Sequence, residues 1–249
     1  MTNLPLYFFY ALLGVLPSVI WLFFYLRQDS RPEPNRLVLK IFLWGGLTGP
    51  VAILAQFIAM RACQPIFSWS DFFVLPGKAS TPFFLNVVLF APLVEEYLKY
   101  IVVKWLILKN PAFDEPLDAM LYLIISALGF AAVENLLNIF MPENLTLGAA
   151  LSQSAARFLS ATLLHTLSSG ILGYFLARSL LNLKKRKTIL AGGFLLAAAF
   201  HGSYNYLAWL FNSDKIFVLA IALLLISGIG VVSWQFYLLK KQLAICKLH

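Results

Sequence analysis

The chain has 249 residues, of which 61% are hydrophobic and 12% are charged, and its mean hydropathy is +0.82. A soluble domain carries charge on about a quarter of its residues, so this composition excludes an ordinary soluble domain and indicates that lipid covers much of the surface. A net charge of +8 would suggest nucleic-acid binding in a soluble chain. Here the Lys and Arg residues fall in short blocks between apolar runs, as in membrane loops, and we expect no nucleic-acid partner.

Apolar stretches long enough to cross a bilayer recur along the whole chain. A helix needs about 20 apolar residues to cross a hydrocarbon core about 30 Å thick. Seven such stretches are bounded by charge, Pro or Gly: Leu4–Leu26, Leu37–Met60, Pro82–Leu108, Leu117–Phe140, Ala149–Leu180, Ile189–Phe211 and Ile216–Leu239. None of them alternates with period two, and backbone groups in lipid must bond internally. The sequence therefore predicts an all-α polytopic transmembrane helix bundle of about seven spans, with residues 1–249 in a single integral membrane domain.

The basic residues predict the orientation of these spans. They concentrate in the first, third and fifth loops and in the C-terminal tail, whereas the alternate loops hold only Arg61, Lys78 and Lys215. Positively charged loops stay in the cytoplasm, so we expect the N-terminus outside and the C-terminus in the cytoplasm. The outer loop from Arg61 to Ser80 is rich in aromatic residues, which predicts that it lies at the membrane interface.

Ionisable and amide side chains cluster in the interior of spans three to six, where each charged group is costly and seldom present without a partner or a function. Spans three to six carry them in this order: Glu95, Glu96 and Lys99; Glu134 and Asn135; Arg157 and His165; His201 and Asn205. The position of each residue along its span predicts its depth in the membrane. The residues predicted near the midplane are Glu95, Glu96, His165 and His201. Those predicted a turn or two nearer the outer face are Glu134, Arg157 and Asn205. Spans three to six, residues 82–211, are therefore the predicted four-helix catalytic core.

Helical spacing predicts how these groups pair. Lys99 lies on the same face as Glu95 and Glu96 and can pair with either. Two adjacent acids in a low-dielectric interior do not both ionise cheaply, so we expect one ion-paired carboxylate and a second that is a candidate general base. His201 and Asn205 are four residues apart and point into the same space, which suits proton transfer and stabilisation of an oxyanion.

Other features favour structural roles. The depth estimates predict an ion pair between Arg157 and Glu134 that braces the cavity. His165 is compatible with catalysis and with a simple interhelical hydrogen bond. The small residues of spans five and six are expected to permit close helix packing, and they are Ser168, Ser169, Gly170, Gly173, Gly192, Gly193 and Gly202.

Three motifs carry a resemblance to a known family: Glu95-Glu96-x-x-Lys99, Phe130-x-x-x-Glu134 and His201-x-x-x-Asn205. They are similar to the motifs of the PrsW-type intramembrane proteases, a branch of the superfamily of CAAX prenyl endopeptidases and bacteriocin-processing membrane proteases. The loop from Arg27 to Pro34 and the helix with His165 also resemble this branch. The prenyl endopeptidases carry His where this chain has Glu134, which disfavours the alternative of a CAAX-type prenyl-peptide endopeptidase.

The resemblance implies an intramembrane endopeptidase of a prokaryotic plasma membrane that acts in signal transduction. Its substrate would be a membrane-tethered protein, typically a single-span anti-sigma factor, cut near the extracytoplasmic side. The depth estimate agrees, because Glu134, Arg157 and Asn205 bias the polar cavity outward.

The expected mechanism is activation of water by Glu95, helped by Glu96. His201 and Asn205 would stabilise the oxyanion, and His165 would position water or give a proton to the leaving amine. Which of the two glutamates is the base stays open. Supporting roles fall to Lys99, Phe130, Glu134, Asn135 and Arg157.

A metal ion is the main mechanistic alternative. We favour a glutamate protease without a cofactor, but zinc is possible because two His and several Glu residues share one cavity. The candidate ligands are Glu95, Glu96, Glu134, His165 and His201. They come from separate helices, so their spacing in sequence does not decide the matter.

Two other classes of protein remain as alternatives. Buried acids and histidines also occur in ion- or proton-coupled transporters and channels, but the sequence has no inverted repeat, and Pro92 gives only one candidate break in a helix. A catalytically dead scaffold is disfavoured because the acid and His set is complete.

Overall fold

The computed structural model describes residues 4–29, 31–63, 84–141 and 145–241, and every regular element within these ranges is helical. A π-helical turn over Asn86–Phe90 leads directly into α3, and a short 3₁₀ turn over Leu183–Lys185 precedes α7. The α-helices are α1 (Leu4–Leu26), α2 (Asn35–Cys63), α3 (Ala91–Leu106), α4 (Pro116–Phe140), α5 (Leu147–Leu159), α6 (Ala161–Leu181), α7 (Arg186–Ser213) and α8 (Phe217–Lys240). The predicted all-α polytopic bundle is therefore confirmed.

Five helical segments are long and apolar enough to cross a membrane: Leu4–Leu26, Asn35–Cys63, Pro116–Phe140, Leu147–Leu181 and Phe217–Lys240. The third and sixth predicted spans correspond to α3 and α7. Of these, α3 has only 16 residues and carries buried charge, and α7 begins with basic residues. Most of the aromatic loop predicted at the interface falls in residues 64–83, outside the described part of the chain.

The fifth predicted span, Ala149–Leu180, was wrong as a single helix. It is divided at Ser160, whose backbone angles of φ −125° and ψ −93° end α5 and start α6. The Ser160 hydroxyl donates to the carbonyl of Ala156 at 2.7 Å, a local bond with which Ser competes against regular helix geometry. Arg157 and His165 consequently lie on different helices.

The bundle is built around α4. In the most apolar 18-residue stretch of α4, 78% of the residues are buried, whereas in that of α8 only 17% are buried. Helix α4 therefore lies at the centre of the bundle and α8 at its periphery. Helices α1, α2, α3 and α6 all contact α4. The hydrophobic core runs along it through Met120, Ile124 and Leu128, all of which are fully buried.

Glycines bring the backbones of α2 and α4 into direct contact. A Cβ atom added to Gly129 would lie 1.9 Å from the carbonyl oxygen of Phe42, and one added to Gly45 would lie 2.1 Å from that of Ser126. Any side chain at these positions would force the two helices apart. Further along, Gly49 faces Val133, so α2 and α4 run parallel.

The loop between α1 and α2 is fixed onto the start of α4 by polar contacts. Arg31 forms an ion pair with Glu115 at 3.0 Å, and the Tyr122 hydroxyl donates to the carboxylate of Glu33. Asp118 accepts from the backbone N–H groups of Asp114 and Glu115, which caps the helix. Burial, together with the charge of Asp118, raises the pKa of Glu33 to about 8, although the Tyr122 hydrogen bond opposes this shift.

The raised pKa of Glu33 predicts a pH-dependent stability. Between about pH 4.5 and 8 the folded state holds a proton on Glu33 that the unfolded state has lost, so the stability contributed by this group falls as pH rises. Glu33→Gln keeps the acceptor for Tyr122 and removes the titration. We expect the melting temperature of the variant in detergent, relative to that of the wild type, to increase steadily across this window. Parallel pH profiles for the two proteins would contradict the assignment.

Candidate active site

Glu96 occupies the centre of a polar cluster formed by α3, α6 and α7. Its side chain is fully buried and pairs with the Lys99 ammonium at 2.7 Å. The hydroxyls of Ser168 and Ser169 donate to it at 3.0 and 2.6 Å, and His201 Nδ1 lies 3.1 Å from Oε1. Both oxygens are thus held by donors, and the charge is fixed in place.

Glu95, the neighbouring acid, has a different environment. Its Oε1 accepts a hydrogen bond from Gln56 of α2 at 3.4 Å. Its Oε2 is buried and has no hydrogen-bond partner among the described residues, and His201 Nε2 is 3.7 Å away. In the neutral tautomer that carries its proton on Nδ1, facing Glu96, Nε2 of His201 has a lone pair toward this space. The Oε2 atom of Glu95 and Nε2 of His201 therefore lie side by side.

His165 links the central cluster to α4. Lys99 Nζ lies 3.0 Å from Nδ1, and Glu134 Oε2 lies 2.8 Å from Nε2. An ammonium only donates, so Nδ1 accepts and the proton sits on Nε2, which donates to Glu134. Phe130 completes the contact, with Lys99 Nζ 4.5 Å from its ring centroid and the His165 ring at 5.2 Å.

The predicted ion pair between Arg157 and Glu134 is confirmed. Arg157 Nη2 lies 2.7 Å from Glu134 Oε2, and Arg157 Nε donates to the side-chain oxygen of Asn135. Asn135 in turn donates to the Thr162 hydroxyl at 3.0 Å. This chain of contacts joins α4, α5 and α6 across the break at Ser160.

Asn205 makes a contact that its spacing from His201 did not predict. Its amide donates to the backbone carbonyl of Val87 at 2.9 Å, within the π-helical turn. Nearby, a Cβ atom on Gly202 would lie 2.3 Å from the carbonyl oxygen of Val88, so α7 and the turn are in close backbone contact. One amide N–H of Asn205 is thus used to hold α7 against the start of α3.

Several residues have roles that the sequence did not predict. Ser168 and Ser169 were expected to permit helix packing, but they hydrogen-bond Glu96. Gln56 was missed, although a lone amide in an apolar span is the same signal that drew attention to the other spans. The prediction of close helix packing is confirmed for Gly173, where an added Cβ would lie 2.5 Å from the Cα of Met120. It was wrong for Gly192, where an added Cβ would meet no described atom within 4 Å.

One group of side chains fits a metal ion. Among the described residues, ligand atoms of Glu95, His165 and His201 lie within 4.8 Å of one another. Two imidazoles and one carboxylate form a donor set that catalytic zinc sites use, and Glu95 Oε2 is an unsatisfied buried ligand. His165 would exchange one of its two hydrogen bonds for the metal. Glu96 and Glu134, also candidates from the sequence, are already paired with Lys99 and Arg157.

Comparison with known proteins identifies the family. A family model described as PrsW family intramembrane metalloprotease matches residues 33–232. The chain belongs to the PrsW family. Protease PrsW of Geobacillus kaustophilus is 31% identical over 196 residues, covering 78% of this chain and 77% of the relative. Those of Oceanobacillus iheyensis and Clostridioides difficile are each 27% identical over 200 residues, covering 80% and 79% of this chain and 83% and 77% of the relatives. No solved structure matches.

Membership of the PrsW family confirms the resemblance found in the motifs, and it makes the protein a membrane-embedded protease. The apolar helices and the bacterial relatives make it a bacterial integral membrane protein. Its substrates are accordingly membrane-associated.

The Lys99 ion pair leads to a prediction about folding. Lys99→Met leaves the buried Glu96 charge without its cation, and removal of one partner from a buried pair costs about 3–5 kcal/mol. We expect a clearly lower melting temperature and folded yield. The matched control is Lys104→Met, which changes an exposed lysine of the same helix. The double variant Lys99→Met with Glu96→Gln should recover part of the loss. Equal stability of the Lys99 and Lys104 variants would contradict a structural role for the pair.

Proposed function

We propose that this PrsW protein is an intramembrane endopeptidase that hydrolyses a peptide bond of a membrane-tethered protein, with water activated at Glu95. The observation that carries the proposal is the unsatisfied Oε2 of Glu95, which lies beside the free Nε2 of His201 in a buried polar cavity. A water molecule between these two atoms would find acceptors for both of its protons. Removal of one proton produces the nucleophile for an amide carbonyl.

The two glutamates have separate roles in this proposal. Glu95 has an oxygen available for water, whereas the oxygens of Glu96 are held by Lys99, Ser168, Ser169 and His201. Glu96 therefore orients His201, keeps the proton on Nδ1 and leaves Nε2 free. This supports Glu95 as the water-activating acid and Glu96 as a positioning residue.

The remaining polar residues would serve the tetrahedral intermediate and the leaving group. His165 carries a proton on Nε2, held by Glu134, and lies 5.0 Å from the ring of His201. It would give that proton to the leaving amine while Lys99 passes a proton to Nδ1, so that the ring stays neutral. His201, after its Nε2 takes from Glu95 the proton removed from water, and the second N–H of Asn205 would stabilise the oxyanion. Arg157 keeps Glu134 in position from the outer side.

The proposed class of substrate follows from the orientation of the spans in the membrane. The basic loops support an N-terminus outside and a cytoplasmic C-terminus, which puts Arg157 and Glu134 on the extracytoplasmic side of Glu95. A single-span protein such as an anti-sigma factor would then be cut near its extracytoplasmic end. Residues 82–211 are the proposed catalytic core, extended by α2 because Gln56 reaches Glu95.

The description of the family as metalloproteases and the ligand group at Glu95 favour a bound metal, the alternative that the sequence left open. Glu95, His165 and His201 would hold it. A zinc ion there would supply Lewis-acid activation of the attacking water. Glu96, through Nδ1 of His201, would orient that ligand as carboxylates do behind zinc-bound histidines.

Cleavage of a tethered test substrate in proteoliposomes tests the protease proposal. Glu95→Gln keeps the size of the side chain and removes the base, so we expect a loss of about 100-fold or more in kcat. Its melting temperature should stay near that of the wild type. The matched control is Glu115→Gln, which changes an acid at the start of α4, away from the cavity. Undiminished cleavage by Glu95→Gln would refute the role of Glu95, and solute flux without any cleavage would favour a transporter.

Metal content decides between the two forms of the mechanism. We expect about one zinc per chain in protein purified without chelators, with the zinc lost in Glu95→Gln and in His201→Ala. Elemental analysis measures this independently of activity. Full cleavage by protein that holds no detectable metal after chelation would instead establish water activation by the glutamate alone.

A further inference from the structure

A cavity of about 370 Å³ lies between α2 and α4 and reaches the proposed catalytic residues. Glu95 and Glu134 line it, so it is continuous with the site. Its walls are otherwise formed by the two helices, with Gln56 and Ile53 on α2 and Leu137 on α4. Its volume falls within the range of about 300–1,000 Å³ that is usual for ligand-binding pockets.

The shape of this cavity follows from the glycine contacts. At Gly45 and Gly129 the backbones of α2 and α4 touch, and Val133 fills the next gap, 3.2 Å from a Cβ on Gly46 and 3.3 Å from one on Gly49. The cavity begins next to this contact, where Gly49 and Phe130 line it, and extends toward the C-terminal ends of the two helices as far as Met141, just past the end of α4. We call it the cleft.

The chemistry of the walls suits an unwound peptide. A transmembrane helix must open before its backbone is cut, and each N–H and C=O group released in a membrane needs a new partner. The lining of the cleft is mainly apolar and includes four polar side chains, Gln56, Glu95, Glu134 and Asn138. Of these, Glu95 has an oxygen, Oε2, with no hydrogen-bond partner among the described residues.

We propose that the cleft between α2 and α4 binds the extended substrate segment on one side of the scissile bond, and that Ile53 and Leu137 set the size of the apolar side chain it accepts. The inference rests on the proposed protease function. In the proposed orientation the substrate enters from the extracytoplasmic end of the cleft.

Substitutions of Ile53 test this proposal. The measured quantity is the ratio of kcat/KM for two substrates, which does not change when part of the protein is unfolded. After the products of wild-type cleavage are mapped by mass spectrometry, the residues flanking the scissile bond are changed in turn to Ala, Leu and Phe. Ile53→Phe narrows the cleft, so kcat/KM for the Phe substrate relative to the Ala substrate should fall about 10-fold or more at one flanking position. Ile53→Ala should raise the same ratio.

The matched controls are Leu54→Phe and Leu54→Ala. Leu54 is adjacent on α2, is 51% exposed and does not line the cleft. Both variants should keep the wild-type ratio. Ile53 variants that leave every ratio unchanged, or Leu54 variants that shift the ratios equally, would overturn the proposal.

Photo-crosslinking separates failure of the cleft from failure of the protease. A photoreactive amino acid at Leu137, in the Glu95→Gln background, should crosslink the test substrate, whereas one at Leu54 should not. If the substrate crosslinks at Leu137 but the wild-type protein cleaves no substrate, the binding cleft is upheld and the protease function is refuted. If the wild-type protein cleaves the substrate but crosslinks form at Leu54 and not at Leu137, the protease function is upheld and the binding cleft is refuted.

Discussion

The carboxylate of Glu96, buried completely within an apolar bundle, sets the main constraint on this structure. A lone charge in such surroundings costs several kcal/mol, and the cost is offset only when a cation and hydrogen-bond donors surround it. Lys99 supplies the cation from one turn along the same helix, and donors from α6 and α7 supply the remainder. Three helices thereby acquire a fixed depth and rotation relative to one another, which hydrophobic packing alone specifies less sharply.

This fixed charge separates the chemistry of two adjacent acids. Both oxygens of Glu96 accept hydrogen bonds, and these bonds hold Lys99 and His201 in place. Glu95, rotated about 100° around the same helix, lines the cleft and has one oxygen with no hydrogen-bond partner among the described residues. The two adjacent carboxylates therefore differ in their surroundings, and the difference arises from what the neighbouring helices present.

The same bundle combines tight and open packing along a single helix pair. Glycine at positions 45 and 129 lets backbone meet backbone, and the cleft begins next to this contact. The polar cluster lies beside the cleft, since Glu95 and Glu134 line it. A rigid contact next to a cleft leaves space beside the polar cluster without loosening the rest of the core.

The sequence by itself determined the membrane class, the helical fold and the charged and His side chains that meet in the cluster, because charge inside an apolar span is costly enough to be informative when read alone. It also predicted the pair of Arg157 and Glu134. The break at Ser160, the bonds from Ser168 and Ser169 to Glu96, and the approach of Gln56 to Glu95 emerged only in the tertiary structure. Each depends on the rotation and spacing of neighbouring helices, which one sequence does not encode in any local pattern. The different surroundings of Glu95 and Glu96 have the same origin, since the two residues are distinguished only by the neighbours that the fold gives them.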